Sequence, residues 1–259
     1  MDRLININSK VMDFDDKEML LERIRIKNLI SPTQVENYKC SKCKDRNYIL
    51  VEEGAKLCDC TKSRKNEAIF SKSGINRNFR NMTFENFDYS RSESIANAFK
   101  ISLLYNNNFE EIETKRCNSI TYLGSSGVGK THLSMAISNK LINKGVVVIY
   151  MPFREEITLI KQNILDANKY NKIIKKYKTC RMLVIDDLFK GNISKSDINI
   201  MFEIINYRYF NNLPMIISSE LSLEELLLVD EALGSRILEM SKEYLIQILE
   251  KNLNYRIYN

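Results

Sequence analysis

The chain has 259 residues, room for one full α/β domain and a smaller module, since single cores usually hold about 100 to 200 residues. Apolar residues make up 44% and charged residues 28%, the balance of an ordinary soluble protein, and no apolar run approaches the roughly 20 residues that a bilayer demands, which excludes a membrane-spanning helix. The formal net charge of +6 suits an anionic partner such as DNA but serves solubility equally well, so it selects no function alone.

The opening stretch MDRLININSKVMDFDD mixes charges with short apolar pieces and lacks the continuous hydrophobic segment of a secretory signal, so a cytoplasmic location is expected. In that reducing compartment the six cysteines argue against a disulfide framework, and their spacing matters more than their number. From Phe14 to Ile30, FDDKEMLLERIRIKNLI has acidic residues early and basic residues late, matching the helix dipole; it predicts an amino-terminal helix ended by Ser31-Pro32. Tyr38 to Asp59 places paired cysteines around NYILVEEGAKL, where Gly54 punctuates two short strand-like pieces in the manner of a hairpin. A polar stretch follows, and the expected domain boundary lies near residue 75, dividing a helix-plus-cysteine module (1–75) from the rest (76–259).

Beyond it, strands alternate with helices, which predicts a parallel sheet with helices on its faces. SITYL leads into a glycine loop, and a helix is expected from Lys130 to about Asn143; strand VVVIYM, helical material from Arg154 to about Lys176 and strand RMLVI come next. The helix SDINIMFEIINYRYF places Ile198, Met201, Phe202, Ile205 and Tyr209 on one apolar stripe. PMIIS is the next strand, and Ser222 with Glu225 forms a capping box that opens the helix SLEELLLV.

Gly124-Ser125-Ser126-Gly127-Val128-Gly129-Lys130-Thr131 fits the phosphate-loop pattern in full, between an expected strand and an expected helix. Its glycines let backbone N–H groups close on a β-phosphate at the positive end of the helix, Lys130 supplies charge to the β- and γ-phosphates, and Thr131 can ligate Mg²⁺. The sole histidine, His132, follows directly at the same nucleotide-binding turn and is read as packing or making a local hydrogen bond. MLVIDDL is a buried parallel strand whose carboxyl end carries two acids. Asp186 is placed to hold Mg²⁺ through water, and Asp187 either orients or deprotonates the attacking water or caps the following turn. A small-molecule kinase needs an acceptor pocket and a GTPase an N-K-x-D signature; the sequence displays neither.

LGSRILEM resembles the arginine motif of AAA+ ATPases, in which an arginine reaches the γ-phosphate on the neighbouring subunit; Arg236 holds that place, a surface ion-pair role being the alternative. Together with TFENF at 83–87, GSSGVGKTHL, MLVIDDL, LPMIISSELSLEEL and ALGSRILEM, the chain resembles the DnaC/DnaI-type bacterial helicase loaders, including phage and mobile-element versions, over residues 38–259. The resemblance implies a P-loop AAA+ fold that binds and slowly hydrolyses ATP to ADP, self-associates on a replicative DNA helicase and places it on single-stranded DNA. It departs at one point: many members have an asparagine sensor after the fourth strand, where this chain has Glu220, so Ser218 or Ser219 takes the role or hydrolysis is slow. Arg256 is a candidate second sensor.

Cys40-x-x-Cys43 and Cys58-x-Cys60 supply four thiolates on two turns of a hairpin, the set that tetrahedral Zn²⁺ accepts, with a four-thiolate iron–sulfur site as the competitor. Cys117 and Cys180 flank strands and are read as structural. Lys172, Lys175, Lys176 and Lys178, with Tyr170 and Tyr177 for base stacking, form either a single-strand contact or a solvated helix face. Two other functions stay open: a transposition helper ATPase, and a nucleotide-gated adaptor with little turnover.

Overall fold

The computed structural model describes residues 5–7, 10–12, 19, 38–51, 54–250 and 252–258. The helix expected over residues 14–30 lies outside this set, Met19 apart. The chain divides into two compact units, Met1–Lys65 and Asn66–Asn259.

In the first unit, β1 (Ile5–Ile7) pairs antiparallel with β2 (Lys10–Met12). The hairpin expected around Gly54 is present: β3 (Tyr48–Val51) runs antiparallel to β4 (Gly54–Leu57), with Tyr48 opposite Leu57 and Val51 opposite Gly54. Cys60 opens helix α1 (Cys60–Lys72), within which the division falls.

The second unit continues through α2 (Glu93–Ile112), β5 (Ile120–Gly124), α3 (Lys130–Asn143), β6 (Val148–Pro152), α4 (Phe153–Gln162), α5 (Ala167–Thr179) and β7 (Met182–Asp186). It is completed by α6 (Lys195–Phe210), β8 (Met215–Ser219), α7 (Leu223–Val229), α8 (Glu231–Met240), β9 (Leu245–Ile248) and the short α9 (Tyr255–Tyr258). The sheet order is β6-β7-β8-β5-β9 with every neighbouring pair parallel. This is the α/β architecture the alternating pattern predicts. Every residue of β5, β7 and β8 is buried, because helices cover both faces and a parallel strand then has no wet side. Alternate residues feed two cores: Ile120, Tyr122, Val184 and Ile216 on one face, Leu123, Leu183, Ile185 and Ile217 on the other. Placing β5 between β8 and β9 brings Gly124 and Asp186 to the same carboxyl edge, where ligands of such sheets bind.

Several elements lie beyond the sequence expectations, among them α1, which occupies the stretch read only as polar, helix α2 and strand β9. Helix α2 is capped by Ser92, whose Oγ accepts from the Ile95 N–H at 3.2 Å, and it buries Ile95, Ala98, Ser102, Tyr105, Phe109 and Ile112 at helical spacing. Strand β9 has only four residues, too few to register as an alternating pattern. The helical material expected over 154–176 is present as two helices, because Asp166 caps a new start by accepting from the Lys169 N–H at 3.1 Å. One expectation is corrected. The buried stripe of α6 is Ile200, Met201, Ile204, Ile205 and Arg208; Ile198, Phe202 and Tyr209 pack only at its margin. The helix is apolar over so much of its circumference that periodicity left its rotation undetermined.

Arg208 is fully buried and donates from Nη1 to the carbonyls of Tyr177 (2.8 Å) and Cys180 (2.9 Å) and from Nη2 to that of Pro214 (2.6 Å), tying α6 to the end of α5 and the start of β8. Arg208→Ala strands these buried acceptors, so urea unfolding is expected to lose about 3 to 5 kcal/mol. A loss below about 1 kcal/mol would show that the guanidinium is dispensable to the acceptors it binds.

Candidate functional site

The loop between β5 and α3 has a shape only glycine tolerates. At Gly124 (φ +114°) a Cβ would lie 1.9 Å from the Ile248 carbonyl oxygen, and at Gly129 (φ +97°) 2.6 Å from the Phe87 ring. Lys130 opens α3 and is buried; its Nζ donates to the carbonyls of Gly124 (2.6 Å) and Ser125 (2.7 Å). Burial pushes its ammonium below the ordinary value, while Glu220, Asp187 and Asp186 pull it back up.

Asp186, at the end of β7, is the hub of a hydroxyl knot. Its Oδ1 accepts from Thr131 Oγ1 (3.0 Å) and Ser218 Oγ (2.5 Å), and its Oδ2 from the Tyr150 hydroxyl (2.9 Å). Thus α3, β6, β7 and β8 each contribute one group. Asp187 follows with φ +56°; its N–H donates to Ser218 Oγ at 2.9 Å and its carboxylate faces the cavity, paired with Lys190 at 2.9 Å. Lys190 also pairs with Glu220 at 2.9 Å. Ser218 and Ser219 do not reach the cavity: both are fully buried, and Ser219 Oγ is engaged by donating to the Leu188 carbonyl at 2.7 Å. This corrects the expectation that one of them replaces the sensor side chain. Sequence reasoning missed Tyr150, Ser218 as a ligand of Asp186, and Lys190, since only strand register brings them together.

His132 Nε2–H donates to the Thr83 carbonyl (2.9 Å) and to Asn86 Oδ1 (3.1 Å), and the ring meets Phe87 edge-on with centroids 5.1 Å apart. It therefore laces the first turn of α3 to the TFENF segment. A cavity of about 340 Å³ extends from the loop, Asp187, Lys190 and Glu220 past His132 to Phe87, Tyr255 and Arg256, large enough for a small-molecule ligand. Tyr255 N–H donates to the Gly127 carbonyl at 3.0 Å, and the Arg91 guanidinium lies 5.1 Å from the Tyr255 ring centre.

In the first unit the sulfurs of Cys40, Cys43, Cys58 and Cys60 lie within 4.8 Å of one another, with Cys43 and Cys60 at 3.3 Å and Cys40 and Cys58 at 3.8 Å. Four thiolates around one Zn²⁺ at about 2.3 Å would stand about 3.8 Å apart, so the cluster fits. Thiols packed this closely do not ionise together. Against desolvation, hydrogen bonds from Cys60 and the Asn47 backbone lower Cys43 to about 6; desolvation and the bond to Cys43 raise Cys60 to about 12. A cation is what stabilises the fully ionised set. Asp45 anchors the knuckle by accepting from the N–H groups of Lys39 (3.1 Å) and Cys40 (3.0 Å) and pairing with Arg64.

The family model described as IstB-like ATP binding protein matches residues 23–254. The chain belongs to this family. It is 38% identical over 240 residues to the phage-like element PBSX protein XkdC of Bacillus subtilis, covering 87% of this chain and 88% of that one. Among solved structures, this IstB-like chain is similar to a DnaC helicase loader (25% identity, TM-score 0.53, covering 67% of this chain and 99% of that one). It is also similar to AMPPCP-bound DnaA from Aquifex aeolicus (26% identity, TM-score 0.55, 71% of this chain and 53% of that one). No helix among the described residues is long and apolar enough to cross a membrane.

Elsewhere in this IstB-like chain, Arg236 stands on α8 outside the lining of its own cavity; it donates to the Ala232 carbonyl and lies 5.2 Å from the Phe202 ring and 5.4 Å from the Tyr209 ring. Lys172, Lys175 and Lys176 are exposed on α5, but Lys178 is paired with Glu203 at 2.6 Å. Tyr177 is fully buried with its hydroxyl on Glu156, which corrects its expected availability for base stacking.

Proposed function

We propose that the chain is an ATPase that loads a replicative DNA helicase onto single-stranded DNA, using ATP binding as an assembly switch. The observation that carries this reading is a cavity lined by the phosphate loop from Ser126 to Thr131 and by Asp187, with buried Asp186 hydrogen-bonded behind Thr131. The fold likeness to a DnaC helicase loader supports the choice of client. The donor set fits Mg²⁺ and ATP: loop N–H groups with Gly124 to Thr131 take the phosphates, and Thr131 with Asp186 offers the oxygen ligands a hard cation needs. When bound, Mg²⁺ neutralises charge on the β- and γ-oxygens. Lys130 binds the phosphates, and Asp187 aligns water for attack and takes its proton. Release of ADP resets the switch.

Arg236 lies away from its own cavity, as a group that acts on a neighbouring copy must. Self-association then places it against the next subunit's triphosphate. In this reading residues 1–75 form a zinc-bearing module that grips the helicase, residues 76–259 form the AAA+ domain, and the exposed α5 lysines face the strand.

A mixing experiment tests the shared site. Lys130→Ala and Arg236→Ala are each expected to lose about 10³-fold of the ATPase rate alone, whereas their mixture regains activity at interfaces pairing an intact loop with an intact arginine. Recovery absent from every mixing ratio would remove the arginine from the mechanism. Stimulation by single-stranded DNA plus a candidate helicase supports loading. Family membership fits a transposition helper equally, and stimulation by a transposase instead would favour it. Binding without turnover under every condition would mark an adaptor.

A further inference from the structure

Glu220 occupies the position from which an uncharged sensor amide would face the phosphates, and a carboxylate there repels them. Lys190 answers that repulsion. Its Nζ sits between Asp187 Oδ2 and Glu220 Oε1, 2.9 Å from each, and all three residues line the cavity beside Ser126 and Lys130. Against burial, Lys190 and Ser126 of the phosphate loop hold the Glu220 carboxyl below its ordinary value, so this acid stays ionised beside the loop.

The loop that carries Lys190 is built to hold it there. Asp187 and Phe189 both adopt left-handed φ (56° and 60°), a conformation that non-glycine residues keep only when their surroundings enforce it. The enforcement is visible: Leu188 N–H donates to the Ser218 carbonyl at 2.8 Å, Ser219 Oγ donates to the Leu188 carbonyl at 2.7 Å, and buried Phe189 packs on Phe153. By contrast, the side chains of Lys190, Asp187 and Glu220 are 38%, 35% and 31% exposed. Ion pairs with this much solvent contribute little and exchange readily, so the backbone is fixed while the ammonium is free to change partner.

We propose that Lys190 is the residue that contacts the γ-phosphate in this site, moving from the Glu220 carboxylate onto the incoming triphosphate. This rests on the reading of the cavity as an ATP site. A diphosphate ends short of Lys190 and leaves its ion pairs in place; a triphosphate recruits it. Lys190 thereby supplies what the departure at Glu220 withholds, and it couples the third phosphate to Asp187, which loses a partner as Lys190 moves.

The test compares two nucleotides on the full chain. The affinities of Mg²⁺ with AMPPCP and Mg²⁺ with ADP are measured by competition against a fluorescent ADP, for the wild type, Lys190→Ala and Lys190→Arg. Lys190→Ala is expected to weaken AMPPCP about tenfold and leave ADP within about twofold, while Lys190→Arg retains most of the AMPPCP affinity. Unchanged ADP binding also reports that the variant is folded. Equal weakening of both nucleotides, or of neither, overturns the assignment. Wild-type protein that binds neither nucleotide overturns the ATP reading itself, and Lys190's role with it.

Discussion

Lys130→Ala is expected to lower ATP affinity by at least about 100-fold, because it removes a charged donor from two phosphate groups, each such hydrogen bond contributing about 1.5 to 3 kcal/mol. The residue is buried at the start of α3 among the loop carbonyls it bridges, whereas Lys190 reaches the same cavity from the half-exposed side beside Asp187 and Glu220. Isothermal titration with Mg²⁺ and ATP measures the effect, and thermal unfolding without nucleotide checks the fold. Because Nζ also ties the start of α3 to the Gly124 and Ser125 carbonyls, the variant should melt slightly lower even before ligand is added. Affinity within about threefold of the wild type would mean that the triphosphate does not use this loop.

The second large effect concerns the cysteine cluster. Replacing Cys58 and Cys60 by serine, or stripping metal with a chelator, is expected to unfold the hairpin of β3 and β4. A structural four-thiolate Zn²⁺ contributes on the order of 10 kcal/mol to folding, more than a module of this size draws from its core. Among the described residues of this unit, the buried ones are Cys43 and Cys58, themselves members of the ligand set. Proteolysis should become rapid within residues 38–60 while ATP affinity persists, since that site is built wholly from the second unit. Elemental analysis should find one zinc per chain. Iron with visible absorbance would replace zinc in the account, and a serine variant as protease-resistant as the wild type would dismiss a structural metal.

What could be read beforehand follows a physical divide. Strands β5 to β8 were legible because helices cover both faces of a parallel sheet, so each strand is a short apolar run with no wet side to interrupt it. Loop 124–131 and Asp186 were legible because their geometry demands particular residue types at fixed spacing. Helix α2 carried its own signal, Ser92 before a 3–4 spaced apolar series, yet its polar residues diluted it. The rotation of α6 was not recoverable: Phe202 and Tyr209 are apolar, but their rings lie near the Arg236 guanidinium at the margin of the core. Nor were Tyr150, Ser218 and Lys190 recoverable, since their meeting depends on Tyr150 pairing with Val184 and on Val184 pairing with Ile216, facts of sheet assembly rather than of local sequence.

The knot at Asp186 has a mechanical consequence. One carboxylate gathers hydroxyls from three other elements, so an occupant that draws Thr131 away removes one of the tethers joining α3 to the sheet. The Tyr150 and Ser218 hydrogen bonds do not depend on Thr131, so the acid would keep its aim while the first turn of α3 gained play against the sheet.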